Sequence, residues 1–316
     1  MARAPKEPIE VGDEIVVTLE TMVHGGHCIA HPRGHTAFVR HGIPGEEVSI
    51  RITEVRSKFV RADVDRVIDA SAHRVEAPCA WARPGGCGGC DFQHVDLQYQ
   101  RELKGAIARE SLTRHAGVDP GPLTAEPLSD DAGLHWRTRM RFSVDGSGAA
   151  GLLGARSHGV LPVERCLLAT QGIDELRITD LEWPGVENVQ VAQDSRGQTS
   201  VWADRDLVSG PRRVHQQVRD REWEIEGTGF WQVHPHAAQA IVEHVLVAGQ
   251  PAPGEHWLDL YSGAGLISAF LGEEVGTTGR VQAIESYRSA VRDGRRALKD
   301  LVQVSFIDAD VDQWAF

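Results

Sequence analysis

Four of the five cysteines carry the chemistry most directly legible in this chain. Cys79, Cys87 and Cys90 lie in the run Cys79-Ala-Trp-Ala-Arg-Pro-Gly-Gly-Cys87-Gly-Gly-Cys90, and Cys166 stands far downstream. The glycines between Cys87 and Cys90 let the backbone wrap so that both sulfurs reach one metal centre. A compact iron–sulfur cluster can take three ligands from one loop and the last from elsewhere. A Cys-x-x-Cys knuckle equally suits tetrahedral zinc, so spacing alone leaves cluster and zinc open, with a disulfide behind both. Cys28 has no neighbouring donor and reads as a small buried residue.

A second constellation lies near the C-terminal end. Trp257-Leu258-Asp259-Leu260-Tyr261 is a short apolar strand running into Ser262-Gly263-Ala264-Gly265-Leu266-Ile267-Ser268, and Val281–Ile284 is a second strand closed by Glu285. Strand, glycine turn, helix and strand make a βαβ unit. Gly263 and Gly265 let a cofactor approach the backbone, and the acid at the end of the next strand can bind ribose hydroxyls. The third fingerprint position is Ser268 rather than glycine. With Asp259 ahead of the turn, this favours an adenosyl cofactor without a pyrophosphate, S-adenosylmethionine, over a dinucleotide. A third strand, 303–307, leads to Asp308-Ala309-Asp310, where Asp310 offers a carboxylate to an adenine amino group.

The elements that must position these groups follow from periodicity and turn residues. Short β-rich stretches at 14–19, 36–39, 47–55 and 60–67, separated by glycine and proline turns, predict a small closed all-β barrel of the five-stranded oligonucleotide-binding kind. Its basic residues, Arg33, Arg40, Arg51, Arg56, Lys58 and Arg61, suit either a nucleic acid or a solvated face. Residues 95–116 read as a helix stopped by Gly117. A β-rich block spans 123–225. Within it, alternation puts Arg137, Arg139 and Arg141 on one strand face, where a phosphate backbone or a carboxylate network would satisfy them.

At 316 residues the chain has room for several cores. No apolar run approaches the length of a membrane span, the N-terminus lacks the apolar stretch of a signal peptide, and five cysteines read as reduced cytoplasmic thiols. The net charge of −12 argues against indiscriminate nucleic-acid binding, but it is unevenly spread: residues 226–316 carry 6 Lys+Arg against 12 Asp+Glu, whereas 1–70 carry 9 against 11. A locally basic groove upstream is therefore compatible with the acidic total.

In this order the motifs resemble, across essentially the whole chain, the RNA uracil-C5 methyltransferases that carry an N-terminal TRAM domain and a [4Fe–4S] cluster, the enzymes that make 5-methyluridine in 23S rRNA and tRNA. His24-Gly25-Gly26-His27-Cys28 and Ile43-Pro44-Gly45-Glu46 resemble the TRAM barrel, and Cys87-Gly88-Gly89-Cys90-Asp91-Phe92-Gln93-His94 is similar to the cluster loop. The resemblance implies an α+β multidomain chain: a TRAM barrel (1–70), a β-rich central RNA-binding domain with the iron–sulfur loop (71–225) and an incomplete Rossmann-like class I methyltransferase domain (226–316). It implies Cys79, Cys87, Cys90 and Cys166 as cluster ligands. It also implies Gln232, Asp259, Tyr261, Ser262, Gly263, Gly265, Glu285 and Asp310 as the donor site, and Arg137, Arg139 and Arg141 on the RNA. The expected RNA is 23S rRNA ahead of tRNA, with no obligate protein partner. Two departures stand out: a longer gap between Cys79 and Cys87 than the family usually has, and His234 where it tends to have Asn.

The chemistry implied by that resemblance is demanding. Uracil C5 is too weak a nucleophile to take a methyl group directly. A thiolate adding to C6 makes C5 enolate-like, and a base then removes the C5 proton. No cysteine follows Cys166, so no catalytic residue is assigned, and the chain is expected to be the first part of a longer enzyme. The alternative is a non-catalytic RNA-binding protein with a degenerate methyltransferase domain. A donor-dependent enzyme acting on another base is a third option.

Overall fold

Alternation of inward and outward residues builds the first sheet. In Glu47–Val55, Val48, Ile50 and Ile52 turn inward, and in Val60–Asp69, Val60, Ala62 and Val64 do the same, leaving Arg61 and Asp63 on the opposite face. The structure is a computed structural model describing residues 7–129 and 132–314. It divides into two units, Met1–Pro127 with Leu152–Val163, and Leu128–Gly151 with Glu164–Phe316.

In the first unit six strands lie in the order Glu14–Thr18, Glu47–Val55, Val60–Asp69, Ala37–Arg40, His27–Ala30 and Met22–Val23. This corrects the expected closed five-stranded barrel: the two outer strands do not pair with each other. They are consecutive in the chain, split by a bend at residues 19–21, and there Glu20 N donates to Ile29 O (2.8 Å) and Ile29 N to Thr21 O (2.9 Å). Leu19, Ile43, Val39 and Cys28 fill the core. Glu46 is buried among them, 1% exposed, and is satisfied fully enough to stay there. Its carboxylate accepts from Ile43 N (2.9 Å), Ser71 N (3.1 Å), and Arg74 Nε and Nη2 (2.6 Å each). The helix runs over Leu97–Ala116. Asp96 caps it by accepting from Tyr99 N, and Gly117 closes it in the left-handed region. In the segment after residue 151, Leu152 pairs with Leu161 and Leu153 with Val160.

In the second unit Asp206–Ser209, Thr199–Ala203, Asn188–Gln193 and Arg139–Val144 lie side by side, antiparallel. The hairpin Arg213–Val218 with Arg221–Glu226 follows. After the helix Ala237–Gly249 come three parallel strands, His256–Leu260, Arg280–Glu285 and Val304–Asp308, in that spatial order, connected by the helices Leu266–Val275 and Arg288–Ala297. The hairpin is tied to this parallel layer. Trp223 is buried and packs on Trp231 and Phe270, Arg213 Nη1 donates to Asp293 Oδ1 at 2.7 Å, and Glu226 N donates to Asp293 Oδ2 at 2.7 Å. Among the described residues no helix is long and apolar enough to cross a membrane.

Candidate functional site

The glycine turn forms where the strand His256–Leu260 ends. Tyr261, Gly263 and Gly265 all have positive φ (60°, 57° and 77°), and the turn delivers the chain to the helix that begins at Leu266. The two glycines serve different ends. A Cβ on Gly265 would lie 2.6 Å from Phe306 Cζ, so that position is needed for packing. A Cβ on Gly263 would meet no atom within 4 Å, so the space there is open to a ligand.

Carboxylates fix the turn from both sides. Asp259, 8% exposed, accepts at Oδ2 from Ser268 N (3.0 Å) and Ser268 Oγ (2.5 Å). Burial raises its pKa above the ordinary aspartate value against the pull of the Ser268 bonds, and the nearby Glu285 charge adds to the rise. Glu285 accepts at Oε2 from Gly263 N (2.9 Å) and at Oε1 from Tyr287 N (2.7 Å). Ser262 N donates to Ile284 O at 3.0 Å, while Ser262 Oγ is buried without a partner among the described residues. An orphaned hydroxyl, an open backbone face and a carboxylate thus converge at the carboxyl ends of parallel strands, where ligands of open α/β sheets bind. These features fit an adenosyl ligand.

The other expected donor residues lie around this turn. Asp310 is exposed and accepts at Oδ1 from Asp312 N (2.9 Å), capping the short helix Val311–Trp314. Tyr261 Oη donates to Asp312 Oδ1 at 3.4 Å. Gln232 follows buried Trp231, whose ring lies 5.4 Å from that of Trp223, and Trp223 Nε1 donates to Ala264 O at 3.1 Å. Two indoles therefore tie the Gln232 segment to the glycine turn. Sequence reasoning missed Trp223, and it treated Ser268 only as a missing glycine although it is the partner of Asp259. The signal for Ser268 was its size and hydroxyl, one helical turn beyond the glycines.

The three arginines separate. Arg139 and Arg141 share a strand face opposite buried Met140 and Phe142, and Arg141 is exposed. Arg139 instead points into the fold. Its Nη1 donates to Gly227 O and Gly229 O at 2.7 Å each, its Nε and Nη2 are buried without partners among the described residues, and burial pulls its pKa down to about 10. Arg137 lies ahead of the strand, bridged to Ala169, with its guanidinium 5.3 Å from the Trp136 ring centre. His234 stacks on the same indole and approaches Ser129 Oγ with Nε2 at 3.2 Å.

Cys79, Cys87 and Cys90 fall in the first unit and Cys166 in the second. Among the described residues no three His, Cys, Asp or Glu side chains are grouped to hold a metal ion. The loop is closed by its own backbone instead: Ala82 N donates to Cys79 O, Gly86 N to Arg83 O and Cys87 N to Trp81 O, each at 2.9 Å. Gly89 N and Gln93 Nε2 point at the sulfurs of Cys87 (3.4 Å) and Cys90 (3.2 Å). Cys28 is fully buried, as expected, and donates to Gly42 O at 3.4 Å; burial pushes its thiol up to about 12.

Comparison with known proteins places this geometry in context. Residues 8–64 match the TRAM domain family. An uncharacterized RNA methyltransferase of Streptomyces coelicolor is 37% identical, over 94% of this chain and 74% of its own length. One from Streptomyces avermitilis is 36% identical, over 96% and 79%. One from Corynebacterium efficiens is 32% identical, over 94% and 75%. Among solved structures, the Pyrococcus abyssi tRNA (uracil-54, C5)-methyltransferase, in complex with S-adenosyl-L-homocysteine, shares the fold with a TM-score of 0.64 at 15% identity, over 92% of this chain and 79% of that one.

Proposed function

The chain belongs to the TRAM-containing RNA uracil methyltransferase family, and on that footing we propose that it binds S-adenosylmethionine at the glycine turn and serves the methylation of uridine C5 in cytoplasmic RNA, 23S rRNA ahead of tRNA. The observation that carries this reading is the orphaned Ser262 Oγ beside the open face of Gly263 and the Glu285 carboxylate. S-adenosylmethionine supplies an electrophilic methyl group. Glu285 would exchange its bond to Gly263 N for ribose hydroxyls, Asp259 and Ser268 would keep the turn rigid, and Asp310 would face the adenine. Tyr261, Gly265 and Gln232 would complete the donor site, and Arg137 and Arg141 would meet RNA phosphates while Arg139 secures the loop at Gly227–Gly229.

The test is calorimetric titration of S-adenosylhomocysteine together with transfer of an isotopically labelled methyl group to rRNA and tRNA transcripts, followed by mass mapping of the modified nucleoside. Absence of donor binding would remove the proposed site. A second reading is an RNA-binding protein without catalysis; the buried Cys28, disfavoured as a thiolate, would not act as a nucleophile under either reading. Donor and RNA binding without methyl transfer would select the second.

The proposal extends to a [4Fe–4S] cluster at the Cys79–Cys90 loop, where N–H groups aimed at the sulfurs of Cys87 and Cys90 favour thiolates. No step of the reaction is routed through it. Iron, acid-labile sulfide and zinc analysis of anaerobically purified protein decides between cluster, zinc and neither.

A further inference from the structure

On the outward face of the first sheet, a groove of about 930 Å³ gathers cations and aromatic rings that the donor site does not use. Its floor follows from strand alternation. Ala37 and Val39 are buried, so Phe38 faces outward, and the parallel register sets it beside Arg61, which faces outward between buried Val60 and Ala62. The Phe38 and Phe59 rings meet edge to face at 5.4 Å, and the Arg61 guanidinium lies 5.0 Å from the Phe59 ring centre and 5.9 Å from that of Phe38.

Arg156 closes the groove from the loop between the paired residues Leu152–Leu153 and Val160–Leu161, its Nη2 3.3 Å from His27 Nε2. Burial, then the charge of Arg156, lowers His27 to about 4, so Arg156 faces a neutral imidazole rather than a carboxylate. Glu54 is engaged by Arg56 and Arg61, and Arg40 by Asp91. Asp63, the other carboxylate lining the groove, is pushed by burial toward its neutral form, against the pull of Arg40 and Arg156. Burial and then repulsion from Arg61 and Arg40 lower the pKa of Arg156, so an anion arriving there would relieve a crowded set of positive charges. The volume lies at the upper end of the roughly 300–1,000 Å³ typical of ligand pockets.

We propose that this groove holds a single-stranded segment of the RNA substrate, with one base stacked on the Phe38–Phe59 platform and an adjacent phosphate on Arg156. The inference rests on the RNA reading above and gives it a residue-level site. Arginine alone would suit any polyanion. Half-exposed rings beside arginine add a surface for a base face, which a duplex keeps stacked and a single strand presents.

The experiment is fluorescence anisotropy of the full chain with a short labelled oligouridylate, a duplex RNA of equal length and heparin as a polyanion without bases. Phe59→Leu should weaken oligouridylate binding on the order of ten-fold and leave heparin unchanged, and Phe59→Tyr, which keeps the ring, should restore binding. Arg156→Gln should weaken both ligands and flatten the dependence of log affinity on log salt by about 0.7 between about 50 and about 200 mM. Equal losses for RNA and heparin on Phe59→Leu, or duplex binding as tight as single-strand binding, would overturn the proposal. If the wild-type chain binds S-adenosylhomocysteine and RNA while both variants bind RNA like wild type, the groove alone is rejected. If the wild-type chain binds neither ligand, the functional reading falls with it.

Discussion

The Glu285 carboxylate holds the Gly263 backbone N–H at 2.9 Å, so the acid at the end of one parallel strand clamps the glycine turn that follows its neighbour. The same carboxylate takes Tyr287 N at 2.7 Å, and one side chain therefore fixes the two loops at the carboxyl edge of the sheet. An adenosyl ligand arriving there meets a turn already ordered, which lowers the entropy cost of binding.

Replacing Glu285 by alanine removes both the clamp and the acceptor. Loss of charge-assisted bonds worth about 1.5–3 kcal/mol each should weaken S-adenosylhomocysteine binding by at least ten-fold in calorimetry. Glu285→Gln, which keeps one acceptor oxygen, should fall between alanine and wild type. Equal affinity for all three proteins would remove Glu285 from the site.

The two glycines of the turn should respond differently to alanine. Gly265→Ala places a methyl group 2.6 Å from Phe306 Cζ at positive φ and should lower the melting temperature by several degrees. Gly263→Ala meets no neighbour within 4 Å and should cost only the backbone penalty of about 1–2 kcal/mol, while filling the space proposed for the ligand. Thermal unfolding and donor titration of the pair separate packing from binding.

Glu46 and Arg74 should make the first unit acid-sensitive. Burial would raise the Glu46 pKa, but the Arg74 bonds and the amides of Ile43 and Ser71 outweigh it and hold the carboxyl below its ordinary value. With a folded pKa below the unfolded value of about 4.3, the stabilisation is present above that value and is lost as the pH falls through the folded one. Glu46→Gln should lose about 3 kcal/mol or more at neutral pH and show a flatter acid limb in urea titrations. An acid limb unchanged from wild type would contradict this assignment.

Cys28 should resist thiol reagents in the folded chain. Its thiol is fully buried and pushed up to about 12, so little thiolate exists at pH 8. Peptide mass mapping after brief alkylation should find Cys28 unmodified in buffer and modified in urea. Labelling in buffer would mean that the first unit opens readily.

Periodicity made part of this architecture legible. The stretch 47–55 is a strand with the expected ends, the helix expected over 95–116 forms over Leu97–Ala116, and Cys28 is a core residue. The strands Met22–Val23 and His27–Ala30 escaped notice because two to four residues are too few to show an alternation. Arg137, Arg139 and Arg141 looked equivalent because alternation reports which face a residue occupies and not what covers that face; the carbonyls of Gly227 and Gly229, some ninety positions away in sequence, draw Arg139 inward.

The sequence by itself determined the turn chemistry and the carboxylates that follow it, because glycine spacing and strand-end acids act through local backbone geometry. The tertiary structure decided which polar groups meet. It paired Asp259 with Ser268, left Ser262 Oγ without a partner among the described residues, and brought Arg156 to the groove that Phe38 and Phe59 line. Strand order and burial set those encounters, and neither is written in the local pattern of any one segment.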